Sequence, residues 1–564
     1  MVEYERGKAL LAVYIRRAEP GVYPDGLARS IHFAVKRDGG AYEALNSGYG
    51  ILFAQGTITE QNTICPKCVS CPAVTVRPDG TYAVTAKRVE EDGSEDQESR
   101  GKVLLWLTED FIHFTECGLV DEKANAAAAG DKVSCGEDMP VPDALEASVC
   151  RVPAAVCDRA AVYWGKLFNI QIRLPDQVCV SDARELAGVK AEAVYSDGST
   201  VEKPVDWELS GIDLSREGEY TVKGQVRSPY YPFPLDTGWG DPVILPWEGK
   251  YYYIATNDNL DDVGFYVREA DRPEELFAEG IGQHVILDYD EEREFIQTFW
   301  APEFHVIGGR LYILFAVGPK EWGPQCHLMR LKEGGRITDP KSWEEPVKIL
   351  KKDGTALCEK GISLDMTYIR GNERSYVVWS YREHIGSPLD TGSMLYIAEI
   401  DEKTPWILKS DPVLLSRPLY GWENTEGTIN NEGPHAFVAD GTVYLTYSGG
   451  AANGYTYVVG LLCADTSADL LELANWKKSQ TPVLSFYSVE GVYGPGHNSF
   501  FVDPDGNLMI AYHGETAIDK KLRCPGIHRV HFDLQGRPRF DLSPARDLKE
   551  ELKNVTLRVT VKKG

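Results

Sequence analysis

Short runs of alternating apolar and polar residues, rich in Tyr, Val, Ile and Leu, recur along most of the chain, and Gly, Asp or Asn closes each of them. Period-two alternation bounded by turn residues predicts strands, and no stretch keeps a 3.6-residue period long enough to predict a sustained helix, so the chain reads as all-β. Between about residues 231 and 545 the punctuation itself repeats, in GWGDPVILPWEGKYYYIATND, FWAPEFHVIGGRLYILFAVG, SLDMTYIRGNERSYVVWSYRE, NEGPHAFVADGTVYLTYSGG and GPGHNSFFVDPDGNLMIAYHGE. Every unit pairs two strands through a turn (WEGK, IGGR, RGNE, ADGT or PDGN). Such turns supply the positive-φ positions that tight hairpins need. Units of roughly 50 to 75 residues suit four-stranded propeller blades, which predicts a five-bladed β-propeller over residues 229–548.

The rest of the chain breaks that rhythm. Residues 140–228 carry shorter alternating strands, with a YSDGS hairpin at Tyr195–Ser199 and a later Trp207. They resemble bacterial immunoglobulin-like modules, which implies a β-sandwich. Residues 1–135 hold a fainter echo, SIHFAVKRDGGAYEALN and VLLWLTEDFIHFTECGL, and form an N-terminal β-rich, blade-like region. Two blades cannot close a ring, so this region is expected to pack on another domain, and residues 549–564 are expected to be a C-terminal strand or tail.

A chain of 564 residues is too long for one core and predicts about two to four domains. A formal charge of −26 argues against nucleic acid or an anionic membrane as partner, because phosphate binding needs clustered Lys and Arg. A neutral carbohydrate suits that balance. No apolar run reaches the ~20 residues that span a bilayer, and the N-terminal residues lack a leader's cleavage pattern. As numbered the chain reads as cytoplasmic; a secreted chain whose leader had been removed would read the same. The twelve cysteines mostly stand singly in apolar segments, where a free thiol behaves as a small hydrophobe. Cys65, Cys68 and Cys71 have ligand-like spacing but lack the fourth ligand of a closed zinc site, so a reduced cluster is expected.

Three carboxylates stand where a strand begins: Asp241 in GWGDPV, Asp365 in SLDMTY and Glu432 in NEGPHAF. An Asp at such a place often only caps a turn. In a propeller, however, the first strand of each blade lines the central channel, so acids far apart in sequence meet at one mouth.

Residues 236–540 resemble glycoside hydrolase family 43, especially its α-L-arabinofuranosidase branch. The matching words are WAPEFHVIGGRLYILFA, PLYGWENTEGTINNEGP, YTYVVGLLCADTSADLLELANWKKSQTPVL and VYGPGHNSFFVDPDGN, in blade order. The resemblance implies an inverting hydrolase with Asp241 as general base, Glu432 as general acid and Asp365 as the third carboxylate that orients the acid and raises its pKa. Met366 stands where many relatives have Pro or a small residue. Inversion needs base and acid on opposite faces of the scissile bond, about 6.5–9.5 Å apart, to admit water.

Trp300, Trp239 and Trp422 lie in the same loops and are candidates to pack on a sugar's apolar C–H face; the alternative for each is core filling between blades. Glu303 of WAPE is a candidate substrate contact, and Glu423 is the reserve acid. His497 matches a family histidine near the channel axis, which implies calcium or water held through its shell; no organic cofactor is implied. The expected activity is release of terminal α-L-arabinofuranose from plant-type oligosaccharides or side chains. A β-xylosidase or other pentosidase, and a non-catalytic carbohydrate-binding protein, are the alternatives. Oligomeric state is not read from the sequence.

Overall fold

The computed structural model describes residues 7–37, 40–127, 141 and 143–562. They fall into two compact units, one of residues up to 165 with 233–501 and 511–526, the other of 166–232, 502–510 and 527–564.

The repeats of the sequence are consecutive antiparallel sheets, as a five-bladed propeller requires. Their inner strands are Trp239–Trp247, Gln297–Ile307, Gly361–Gly371, Asn431–Ala439 and Tyr493–Val502. Four of the sheets have four strands and the fifth has three. In blades one to four the first hairpin turns on two consecutive left-handed residues, Glu248–Gly249, Gly308–Gly309, Asn372–Glu373 and Asp440–Gly441. That is the backbone whose twist matches a pair of twisted strands. Between blades the outward faces of these strands pack into common cores, such as Ile254, Phe265, Phe299 and Phe315 between the first and second.

Each inner strand carries a break that no periodicity announces. Register shifts fall at Gly240/Val243, Trp300/Glu303, Leu364/Thr367 and Glu432/His435. At the same places Asp241, Ala301, Asp365 and Gly433 adopt φ of 55°, 45°, 52° and 55°, and His497 of the fifth inner strand adopts 39°. Pro242, Pro302 and Pro434 follow directly; proline lacks the N–H a ladder needs and is tolerated where pairing lapses. A bulge bends the strand and re-aims a side chain, at a cost of about 1–3 kcal/mol for each non-Gly residue held left-handed.

The same device occurs before the propeller. In the sheet of Cys68–Val76, Tyr82–Val89, Lys102–Thr108 and Thr115–Asp121, the register shifts between Ser70 and Ala73, and Cys71 has φ 50° before Pro72. A second four-stranded sheet pairs Lys8–Arg16 with Ala144–Pro153 and with His32–Lys36. Residues 144–165 therefore belong to the N-terminal region and not, as 140–228 proposed, to the immunoglobulin-like module. This region packs on the connection between blades three and four. Tyr23, Leu27, Tyr49 and Phe53 share a core with Tyr420, Trp422 and Phe486, and Arg417 donates to Asn62 Oδ1 at 2.6 Å.

The second unit holds a three-stranded sheet and a four-stranded one ordered Val178–Val180, Asn554–Val561, Gly218–Val226, Val205–Trp207. The segment expected as a strand or tail is thus an interior strand, with Leu557, Val559 and Val561 buried against Val180 and Val222. Tyr195 of the YSDGS hairpin donates to Asp547 Oδ1 at 2.6 Å, and Lys203 meets the other oxygen at 2.9 Å.

Candidate active site

The left-handed breaks bring Asp241, Asp365, Glu432 and His497 to one pocket of about 590 Å³ in the first unit. Asp241 is buried and held from several sides. Arg523 Nη1 donates to both its carboxylate oxygens at 2.9 and 3.0 Å, Thr256 Oγ1 donates to Oδ2 at 2.6 Å, and His497 Nδ1 lies 3.0 Å from Oδ1. Burial pushes its pKa up, yet Arg523 and then His497 outweigh that and hold it well below the usual carboxylate range. Asp241 is therefore held as a carboxylate near neutral pH.

His513 fixes the backbone at the same residue. Asp241 N–H donates to His513 Nδ1 at 3.1 Å, and His513 Nε2 meets Ala452 O at 3.0 Å. A ring accepting on one nitrogen and donating from the other is neutral, in keeping with burial, which lowers its pKa. Gly240 makes room: a Cβ there would sit 2.1 Å from the Arg523 guanidinium carbon.

The other two acids are set the opposite way. Asp365 Oδ2 accepts from Ser380 Oγ at 3.2 Å and from Gly433 N–H at 3.1 Å. Burial raises its pKa to about 6. Glu432 accepts from Tyr457 OH at 3.0 Å, and burial followed by the charge of Asp365 raises its pKa to about 7. Together the pair holds a proton near neutrality, and Glu432 is the stronger keeper of it. Gly433 is the only residue type that fits between them: its φ is 55°, and a Cβ would lie 2.8 Å from the His497 ring. Burial lowers the pKa of His497, but Asp241 and Asp365 outweigh it and bring it to about 9. It is thus a cation facing Asp241.

A pocket with one ionised acid and one protonated acid has the division of labour that acid–base hydrolysis needs. Activity should be present with Glu432 protonated and fall as pH rises through about 7. In Asp365→Asn the charge that raises Glu432 is gone. The alkaline limb of kcat/KM should move to lower pH, and an unmoved limb in a pH–rate profile would contradict the pairing.

The remaining candidates separate. Trp300 lines the pocket, its Nε1 donating to Asp262 Oδ2 at 2.8 Å. Trp239 does not; it is buried among Tyr253, Tyr266 and the Arg268 guanidinium. Trp422 is fully buried between Tyr420 and Tyr447, with Nε1 donating to Gln480 O. Both fill core, because aromatic residues beside a bulge also serve the seam between sheets. Glu303 is buried outside the pocket lining, 2.6 Å from His305 Nε2 and 3.8 Å from His435 Nε2.

Glu423, the reserve acid, has no exposure and is held within the core. Lys478 Nζ lies 2.6 Å from it, and Asn431, Tyr447 and the Tyr420 N–H also donate to it. Lys478→Met would leave that carboxylate buried and uncompensated, and should cost about 3–5 kcal/mol in urea unfolding.

Sequence reasoning missed Arg523, His513 and Asp262. Arg523 and His513 lie in the fifth repeat at positions without a motif, and Asp262 looks like any turn aspartate.

Cys65, Cys68 and Cys71 do not converge as ligands; among the described residues the grouped set is Glu303, His305 and His435. One carboxylate and two imidazoles suit a borderline cation, whereas calcium takes six to eight oxygens. Beside His497 the nearest carboxylate is Asp241, whose oxygens are already engaged by Arg523, Thr256 and His497 itself. The side chains there do not form a calcium cage.

Comparison with known proteins identifies the family. A profile described as glycosyl hydrolases family 43 matches residues 231–538, and one described as bacterial Ig-like domain (group 4) matches 190–229. An extracellular exo-α-(1→5)-L-arabinofuranosidase of Streptomyces avermitilis is 34% identical over 60% of this chain and 69% of its own. One of Streptomyces chartreusis is 32% identical over 51% of this chain and 83% of its own. A crystal structure of α-L-arabinofuranosidase from Lactobacillus brevis is 29% identical, covers 55% of this chain and 96% of that one, and superposes with a TM-score of 0.48. With more than half of its length inside the first match, the chain belongs to glycosyl hydrolase family 43.

Proposed function

We propose that the chain is an inverting exo-α-L-arabinofuranosidase that removes terminal α-L-arabinofuranose from plant-type oligosaccharides or polysaccharide side chains. The observation that carries this reading is the convergence in one pocket of Asp241, held by Arg523, and Glu432, buried beside Asp365, surroundings that drive their protonation apart. Asp241, ionised, takes a proton from the attacking water, and Glu432, protonated, gives one to the departing oxygen. Asp365 keeps Glu432 protonated until bond cleavage, and Trp300 offers a ring face to the sugar. The relatives named as arabinofuranosidases support the choice of sugar.

The eleven described cysteines are all free thiols. Among the described residues no helix is long and apolar enough to cross a membrane.

Hydrolysis of 4-nitrophenyl α-L-arabinofuranoside should exceed that of the β-D-xyloside. Proton NMR should show the β-anomer of arabinose appearing first. Faster xyloside turnover would make the enzyme a xylosidase, and first appearance of the α-anomer would remove the inverting mechanism.

A further inference from the structure

Two segments of the pocket wall adjoin Glu432. One is the connection 417–430, which brings Thr428 and Asn430; the other is 450–457, which brings Ala451, Ala452 and Asn453 and ends on Tyr457, the donor to Glu432. Both share a core with the N-terminal region through Tyr420, Trp422 and Tyr455, although among the described residues none of that region lines the pocket. We propose that the N-terminal region is a brace for the proton donor, in which Glu116 and Tyr420 are positioning residues that fix Glu432 through Glu423 and Asn431. The inference rests on the function proposed above, with Glu432 as the acid.

Hydrogen bonds run without a break from that region to the acid. Glu116 lies on the strand Thr115–Asp121. Gln55 Nε2 donates to both its oxygens at 3.0 Å, and Tyr420 OH donates to Oε2 at 3.1 Å. The backbone is tied as well: Gln55 and Tyr420 form an antiparallel bridge, and Gly56 N–H donates to Leu419 O at 2.7 Å. Tyr420 N–H in turn donates to Glu423 Oε2 at 2.9 Å, and Glu423 Oε1 accepts from Asn431 Nδ2 at 2.8 Å. Asn431 is fully buried, with Ser416 Oγ donating to its Oδ1 at 2.7 Å, and the next residue is Glu432.

The second segment is backed by rings. Tyr455 packs edge to face on Phe486 at 5.5 Å, and Phe486 meets Tyr49 of the N-terminal region in the same way at 5.7 Å. Asp241 is held instead by Thr256, His497 and Arg523, all of them in the propeller repeats. The brace therefore acts on the acid and leaves the base to other partners. A catalytic group misplaced by about 1 Å loses roughly 100-fold in rate, even when the cause lies far from the chemistry.

The test compares an arabino-oligosaccharide, whose leaving oxygen must be protonated, with a dinitrophenyl α-L-arabinofuranoside, whose leaving group needs no proton. Glu432→Gln runs alongside as complete loss of the acid. Glu116→Ala should lower kcat about tenfold on the oligosaccharide and no more than about twofold on the aryl glycoside, a part of the cost of full misplacement. Glu116→Gln keeps an acceptor for the Tyr420 hydroxyl and should recover most of that loss. Tyr420→Phe should reproduce the split, and combining it with Glu116→Ala should cost no more than the worse single change, as members of one network are not additive. If Glu116→Ala fails to fold, Tyr420→Phe decides, since it keeps the ring and loses only the hydroxyl. Equal losses on both substrates, no loss on either, or no recovery in Glu116→Gln would overturn the brace alone, provided Glu432→Gln splits the two substrates. No split in Glu432→Gln, or no turnover of any arabinofuranoside by the wild-type enzyme, would overturn the proposed function and this inference with it.

Discussion

Asp241→Asn should lower kcat by roughly a thousandfold on every substrate, good leaving group or poor, because it removes the group that takes the proton from water. The substitution keeps the side chain's shape and loses its charge. Arg523 and His497, both 3.0 Å or less from Asp241, would then face each other without an anion between them. Azide needs no deprotonation to attack, so it should restore part of the rate on a dinitrophenyl arabinofuranoside and yield the inverted glycosyl azide. Failure of azide to restore any turnover, with the fold intact by circular dichroism, would count against Asp241 as the base.

Glu432→Gln should behave differently with different substrates. On an alkyl arabinofuranoside or an arabino-oligosaccharide the leaving oxygen must be protonated, and kcat should fall by about 10²–10⁴-fold. A dinitrophenolate leaves without help, so its loss should stay within about tenfold. Gln keeps an oxygen for the Tyr457 hydroxyl, now 3.0 Å from Glu432, so binding should change less than turnover. The alkaline limb should also vanish on the activated substrate, since the group that loses its proton near neutrality is gone. Equal losses on both substrates would assign the proton donor elsewhere.

These outcomes depend on tertiary arrangement more than on residue type. Asp241, Asp365 and Glu432 are ordinary carboxylates in sequence, and only burial and neighbours drive their protonation apart. Arg523 lies 282 positions from Asp241 along the chain yet contributes the largest force holding it ionised. At Asp365 and Glu432 burial outweighs the His497 cation, so both are raised.

Much of the architecture was legible. Apolar alternation and the turns WEGK, IGGR, RGNE and ADGT predict the hairpins because two left-handed residues per turn demand Gly, Asn or Asp in most of those places. The bulges were not legible as bulges, although proline after Asp241, Ala301 and Gly433 is their trace. Trp239 and Trp422 misled for a related reason. A tryptophan beside a strand start can turn toward the channel or toward the seam between sheets, and the bulge decides which.

The domain edges show the same division. Tyr195 and Trp207 identify the immunoglobulin-like module, but its limits depend on strand partners that sequence does not name. Residues 144–153 pair with the N-terminal strand Lys8–Arg16, while 554–561 complete the sheet of Gly218–Val226 from the far end of the chain.

Periodicity and turn chemistry are local, so they suffice to place the strands, the five repeats and the three acids at their strand starts. Tertiary structure alone decided which acid is charged and which tryptophan meets the pocket. Those depend on burial and on distant partners such as Arg523 and His513.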